Sequence, residues 1–321
     1  MAMKRQTLYL ILSFCLPWLN SFAQLPRIKF QKAESYNSYE SVYTGSVNPD
    51  YLASFEPVSF NIYFWGINRG DGTSEKPMTY NDVEDVMRSI NEVFNPHGIY
   101  FVLKGYSYVN NDALNSGATH WQIRDYMQQN KHIVSDAFNC FVPYDFKEGA
   151  SANGWTELFS KTLSIRMKWA FNYKSKSTPH ELGHILGLYH TFGKSGNGDI
   201  IKEHVTRNPD DPNYNALTEG DYIHDTPAMP NFFNPKSFGT VPKPPNQDAS
   251  VVDCIYIGNI TDEQGTPFVL TPYDVGNIMG YTPCKNANFT PGQAIRMMET
   301  IYFNEAKNKN ILEAKTKTLK K

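Results

Sequence analysis

No stretch of this 321-residue chain approaches the 18 or more consecutive apolar residues that a membrane-spanning helix needs. The apolar run from Leu8 to Leu16 is too short to span, and it lies between a basic start (Lys4, Arg5) and the small-residue close Ser21-Phe22-Ala23. That is the pattern of a cleaved signal peptide over residues 1–23, so export is expected and a stable membrane anchor is not. Phe14 is too bulky for the small residue that a lipoprotein signal would place before Cys15, which argues against lipidation. Surplus positive charge is missing too: 30 Lys and Arg face 32 Asp and Glu, a formal net charge of −2. Removing residues 1–23 takes away two basic groups and no acid, giving −4, and no nucleic-acid partner is expected. Internal repeats are absent as well. The mature length of about 300 residues suits two subdomains around one cleft rather than a separate second domain.

What the chain does contain is concentrated at residues 180–190, which read His-Glu-Leu-Gly-His-Ile-Leu-Gly-Leu-Tyr-His. On a helix His180 and His184 lie one turn apart on a single face, so both imidazoles can reach one metal ion. Glu181 sits about 100° further round, near enough to hold a metal-bound water and too offset to be a ligand, which places it as a general base. Gly187 can take the left-handed conformation that ends a helix, and the turn can bring His190 back as third ligand. A fourth position left open for water or substrate is the mark of a catalytic rather than a structural zinc. The plain alternative, a polar-faced surface helix, accounts poorly for Gly187 and His190 falling at these two further positions.

The pattern HExxHxxGxxH resembles the metzincin zinc peptidases. Asn277-Ile278-Met279-Gly280-Tyr281 then matches their methionine turn, which lies beneath the metal. Three short blocks narrow the resemblance to the pappalysin, or cytophagalysin-like, family: Leu188-Tyr189-His190-Thr191-Phe192, Gly220-Asp221-Tyr222-Ile223-His224-Asp225-Thr226-Pro227, and Phe289-Thr290-Pro291-Gly292-Gln293 followed by Arg296-Met297. Together they cover roughly residues 57–303. The resemblance implies a secreted zinc endopeptidase, extracellular or, in a Gram-negative cell, periplasmic, acting on a protein or peptide substrate. His180, His184 and His190 would bind Zn2+, Glu181 would be the base, and Tyr281 would assist the tetrahedral intermediate. It also implies a disulfide in the half that holds Cys254 and Cys284, where a loop of about 30 residues would be stabilised by roughly 3 kcal/mol on chain-entropy grounds. Cys140 reads as a buried free thiol. A structural Ca2+ is implied in the acidic loop, with Asp221 and Asp225 as its candidates among Asp199, Glu203, Asp210, Asp211 and Glu219, although no EF-hand pattern is present. Two other classes stay open: a catalytically silent zinc-stabilised binding protein, against which an intact Glu181 argues, and a zinc amidase acting on a non-peptide substrate.

The expected fold class is α/β (α+β): a metzincin-like catalytic domain with a twisted mixed sheet and helices in an upper half (57–190), and an irregular lower half (191–303) with the methionine turn and a C-terminal helix. Strands are expected at Val58 to Trp65, Ile99 to Leu103, Phe138 to Val142 and Leu163 to Trp169, with helices at Asp82 to Phe94 and Trp121 to Gln129. By the resemblance, Leu163 to Trp169 would be the edge strand that pairs with an extended peptide. Thr290, Pro291 and Gln293 form a capping box that opens the last helix. Residues 24–56 read either as a short pro-segment or as a mobile leader; they contain no cysteine, which excludes a thiolate switch, while Asp50 is an acid that could act instead. Residues 304–321 read as a solvated basic tail. Members of the resembled family that prefer Arg or Lys after the scissile bond usually follow the methionine turn with acids, whereas here it continues Gly280-Tyr281-Thr282-Pro283-Cys284-Lys285 with none. By that contrast cleavage is expected before apolar or uncharged side chains, unless an acid from residues 193–250 reaches in.

Overall fold

The computed structural model describes residues 43–147, 153–193, 202–284, 287–304 and 308–316. The expected signal segment and Cys15, the leader up to residue 42, Asp199 and Lys285 lie outside the described residues. In chain order come α1 (Pro49–Ala53), β1 (Val58–Asn68), α2 (Tyr80–Phe94), β2 (Ile99–Asn110), α3 (Asp112–Asn115), β3 (Ser116–Ala118), α4 (His120–Gln129), β4 (Phe138–Val142), β5 (Asp145–Phe146), β6 (Gly154–Thr156), β7 (Thr162–Ile165) and α5 (Ser177–Ile185). Then follow β8 (Val251–Val252), β9 (Ile255–Tyr256), α6 (Pro272–Val275), α7 (Pro291–Phe303) and α8 (Lys309–Glu313). No helix among the described residues is long and apolar enough to cross a membrane.

One mixed five-stranded sheet, ordered β2-β1-β4-β7-β6, organises the chain, with β6 the antiparallel member. β4 and β7 are buried along their whole length because both faces of the sheet are covered there, while β1 alternates buried and half-buried residues over its first half. Phe60, Ile62 and Phe64 of β1 face the larger core with Val83, Val86 and Ile90 of α2 and Leu182 of α5. Trp65 and Ile67 alternate to the other face and pack with Ile123 and Met127 of α4. Reciprocal capping boxes start α2 (Thr79, Asp82), α4 (Thr119, Gln122) and α7 (Thr290, Gln293), each satisfying two otherwise unpaired backbone donors. The α/β class is as expected.

Three expectations change. The strand expected over Leu163 to Trp169 is only Thr162–Ile165, because the chain turns where Ala170 N donates to Arg166 O. It is also an inner strand: the sheet edge is β6, whose three residues are too few to give a periodic signal. The tail is not solvated as far as Thr316: Ile311 and Ala314 are fully buried, and the chain pairs with β1 through Asn61 N to Ala314 O and Thr316 N to Ser59 O, both 2.8 Å. Residues 59–61 lie before the segment of β1 that β4 covers, and this chain fills that gap.

The end of the expected leader, from residue 43, is likewise tied to α7. Thr44 Oγ1 and Tyr51 OH donate to Glu299, and Tyr43 OH bonds Thr300 Oγ1 at 3.0 Å. Asp50 is exposed in the first turn of α1.

Candidate metal centre and active site

Helix α5 puts His180 and His184 on one face and then stops at a glycine. Gly187 has φ +92°, Gly187 N donates to His184 O, and Leu188 N reaches back to Gly183 O, which together make the paired bonds of a Schellman turn. A side chain at Gly187 would place its Cβ 2.5 Å from Thr300 Oγ1, so both backbone conformation and space call for glycine. The turn delivers His190. The three Nε2 atoms lie 3.1, 3.1 and 3.2 Å apart, and among the described residues these histidines are the one cluster of three or more His, Cys, Asp or Glu side chains close enough to share a metal ion.

The outer nitrogens fix the tautomers. His180 Nδ1 donates to Ile278 O at 2.8 Å and His184 Nδ1 to Leu188 O at 2.7 Å, which leaves both Nε2 lone pairs pointing inward. Burial, and then His184, push His180 down to about 3; burial pushes His184 down to about 4; burial, and then His184 and His180, push His190 well below the ordinary value. All three are therefore neutral and acceptor-ready. Lone pairs this close repel unless a cation lies among them. A tetrahedral zinc with bonds of about 2.0–2.1 Å holds its nitrogens roughly 3.3 Å apart, close to the spacing here.

Around the triad, Phe192 stacks on His190 at 4.7 Å and 10°, while the Tyr281 ring lies 5.2 Å from His180 and 4.7 Å from His190. Tyr281 has φ +55°, so the backbone at the end of the methionine turn is bent to aim this ring at the site. Burial, and then Glu181, hold its phenol up at about 12, a protonated donor. Met279 is fully buried under α5, its Sδ 2.7 Å from where a Cβ on Gly183 would stand, and the neighbouring Ile278 carbonyl is the one that orients His180. Glu181, 6% exposed, points to β6: a Cβ on Gly154 would stand 2.6 Å from its Oε1. Burial pushes its carboxyl up to about 8, and a divalent cation beside it would pull it down again.

The structure gathers His180, Glu181, His184, His190, Met279 and Tyr281 in one place, and it joins Cys254 to Cys284 while leaving Cys140 free and buried. It does not gather Asp221 and Asp225 as ligands. Asp225 caps α7, accepting from Thr290 Oγ1 at 2.7 Å and Gly292 N at 2.8 Å, so both oxygens are engaged. Asp221 Oδ1 accepts from Thr226 Oγ1 at 2.7 Å, while its Oδ2 and Glu203 Oε2 are buried without a hydrogen-bond partner. Two contributors escaped the sequence reading. Gly154 gave no signal, being a single glycine in an aperiodic stretch. Arg296 stood in a noted block with no role; its Nε donates to Gly187 O at 3.0 Å and its Nη1 to Asp221 O at 3.3 Å. It therefore ties the histidine turn, the Gly220–Pro227 block and α7 together.

No protein-family model matches the chain. It is 27% identical over 162 residues to an extracellular metalloprotease of Neurospora crassa, an alignment covering 46% of this chain and 56% of that protein. An extracellular metalloprotease of Sordaria macrospora matches with the same identity and the same coverage. The chain thus spans little more than half the length of these relatives. Among solved structures, metalloproteinase-II from Bacteroides fragilis superposes with a TM-score of 0.31 and 11% identity over 43% of this chain and 45% of that one, a likeness too slight to bear on fold or chemistry.

Proposed function

We propose that this chain is an exported zinc endopeptidase of the metzincin type, pappalysin-like, that hydrolyses peptide bonds. The observation that carries the reading is the convergence of three inward Nε2 atoms beside a carboxylate that is not one of them. The names of the relatives support it, as does the signal-like start of the sequence. When bound, zinc supplies the charge that lets a water ionise near pH 7 and polarises the peptide carbonyl. Glu181 takes the water's proton and passes it to the leaving amine. The Tyr281 phenol donates to the oxygen on which negative charge develops. An extended substrate would pair with the outer edge of β6, which no strand among the described residues covers, next to Glu181. Of the two acids expected to hold a structural Ca2+, Asp221 keeps one buried oxygen without a hydrogen-bond partner, as does Glu203, while both oxygens of Asp225 are taken up in capping α7. The absence of an acid in Gly280–Cys284 supports cleavage before apolar or uncharged residues.

The test separates base from ligands. Glu181→Ala should keep the metal, read by elemental mass spectrometry, and lose protein cleavage by at least a thousandfold. His190→Ala should lose metal occupancy itself. Near-wild-type cleavage by the first variant, or full metal retention by the second, removes the mechanism.

A further inference from the structure

Strand β6 ends the sheet next to the histidines, and its middle residue is a half-exposed tryptophan. Trp155 is 44% exposed and pairs with Ser164 of β7. Gly154 presents its Cβ position to Glu181, so by strand alternation Trp155 projects from the opposite face, the one covered by α4, where His120 Nδ1 meets Ser164 Oγ. Behind it on α4 stands Trp121, ring centroids 6.5 Å apart at 68°, and the Arg124 guanidinium covers the Trp121 ring at 4.9 Å. Arg124 is in turn held by Glu157, just beyond β6, at 3.1 Å. The aromatic pair is therefore braced.

The backbone of the same strand is arranged for pairing. Arg166 N donates to Asn153 O, which makes 153 and 166 a bonded pair, so the antiparallel alternation turns the N–H and C=O of Gly154 and Thr156 outward. Among the described residues no strand pairs with that edge. An antiparallel peptide bonded to Gly154 and Thr156 sets one residue opposite Trp155 in a non-hydrogen-bonded position, where Cα atoms are about 4.5 Å apart and side chains are in closest contact. That side chain lies on the α4 face, against Trp155.

We propose that Trp155, backed by Trp121, is a specificity subsite for an aromatic or large apolar side chain of an extended peptide substrate, one strand position along from the backbone that faces Glu181. The proposal rests on the peptidase reading above, and its test distinguishes the two. Cleavage-site profiling of a mixed peptide library with the wild-type protein should show an aromatic or large apolar preference at one position removed from the scissile bond. In Trp155→Ala, kcat/KM for peptides carrying that residue should fall about tenfold, the size of one lost aromatic contact, with peptides small at that position unaffected. Trp155→Phe should restore the preference. A uniform loss across all peptides, or an unchanged profile, overturns the subsite and leaves the peptidase standing. No cleavage of any peptide by metal-loaded wild type overturns both.

Discussion

At the scale of single residues, burial decides which groups are charged. His120 sits 2% exposed between α4 and the sheet; burial first, and Arg124 second, push its imidazole down to about 4. Its folded value therefore lies below the unfolded one, and the folded state binds fewer protons as pH falls. The stability this neutral histidine allows is present in full above about 6.5 and is lost as pH falls from 6.5 to about 4, by on the order of 3 kcal/mol. His120→Gln, which keeps a polar group near Ser164 Oγ but cannot titrate, should be less stable than wild type at pH 7, and the gap should close or reverse by pH 4. Urea unfolding of both proteins at several pH values checks this. A gap that stays constant with pH would show that His120 does not titrate with folding. The three metal-site histidines titrate in both proteins and cancel from the comparison.

At the scale of elements, the site depends on how α5 ends. Gly187→Ala adds a Cβ where φ is +92° and Thr300 Oγ1 is 2.5 Å away, so the turn must shift and His190 with it. We expect a loss of about 1–3 kcal/mol in stability and a clear drop in metal occupancy. Because Thr300→Ala alone also gives up the Tyr43 bond, the comparison is a double-mutant cycle: Gly187→Ala should cost less in the Thr300→Ala background than in wild type, since the clash is gone and the strained backbone remains, and an equal cost in both would assign the whole effect to backbone strain. This element also shows what a sequence exposes. His180, Glu181, His184, Gly187 and His190 were legible because helix period and helix termination are local properties, and the α7 capping box was legible for the same reason. The Met279 turn and the Cys254–Cys284 pair came from resemblance. Gly154 was not legible at all: β6 exists because β7 offers it a partner, and three residues carry no period. Asp225 was misread because an acid in a loop looks alike whether it binds a cation or caps a distant helix.

At the scale of the whole molecule, both ends of the described chain are fastened to elements that carry the site. Residues 43–51 hold α7 through Glu299 and Thr300, and α7 holds the Gly187 turn through Arg296. At the other end, residues 308–316 bury Ile311 and extend the sheet beside β1, while Lys161, in the loop leading into β7, pairs with Glu313 of α8. A chain ending at Asn304 loses the Ile311 burial, worth roughly 1.5–3 kcal/mol, and two backbone bonds of about 1 kcal/mol each. It should unfold at lower urea by some 3 kcal/mol or more, though none of the described residues among those removed, 308–316, is bonded to the histidines. Ile311→Ala in the full chain should reproduce most of that loss, about 2–4 kcal/mol, because it empties a fully buried site without removing the backbone pairing. If the shortened chain were as stable as the full one, the contacts of residues 308–316 with β1 would contribute nothing to folding. If Ile311→Ala alone were silent, the backbone pairing rather than the apolar anchor would be what holds the chain end to the sheet.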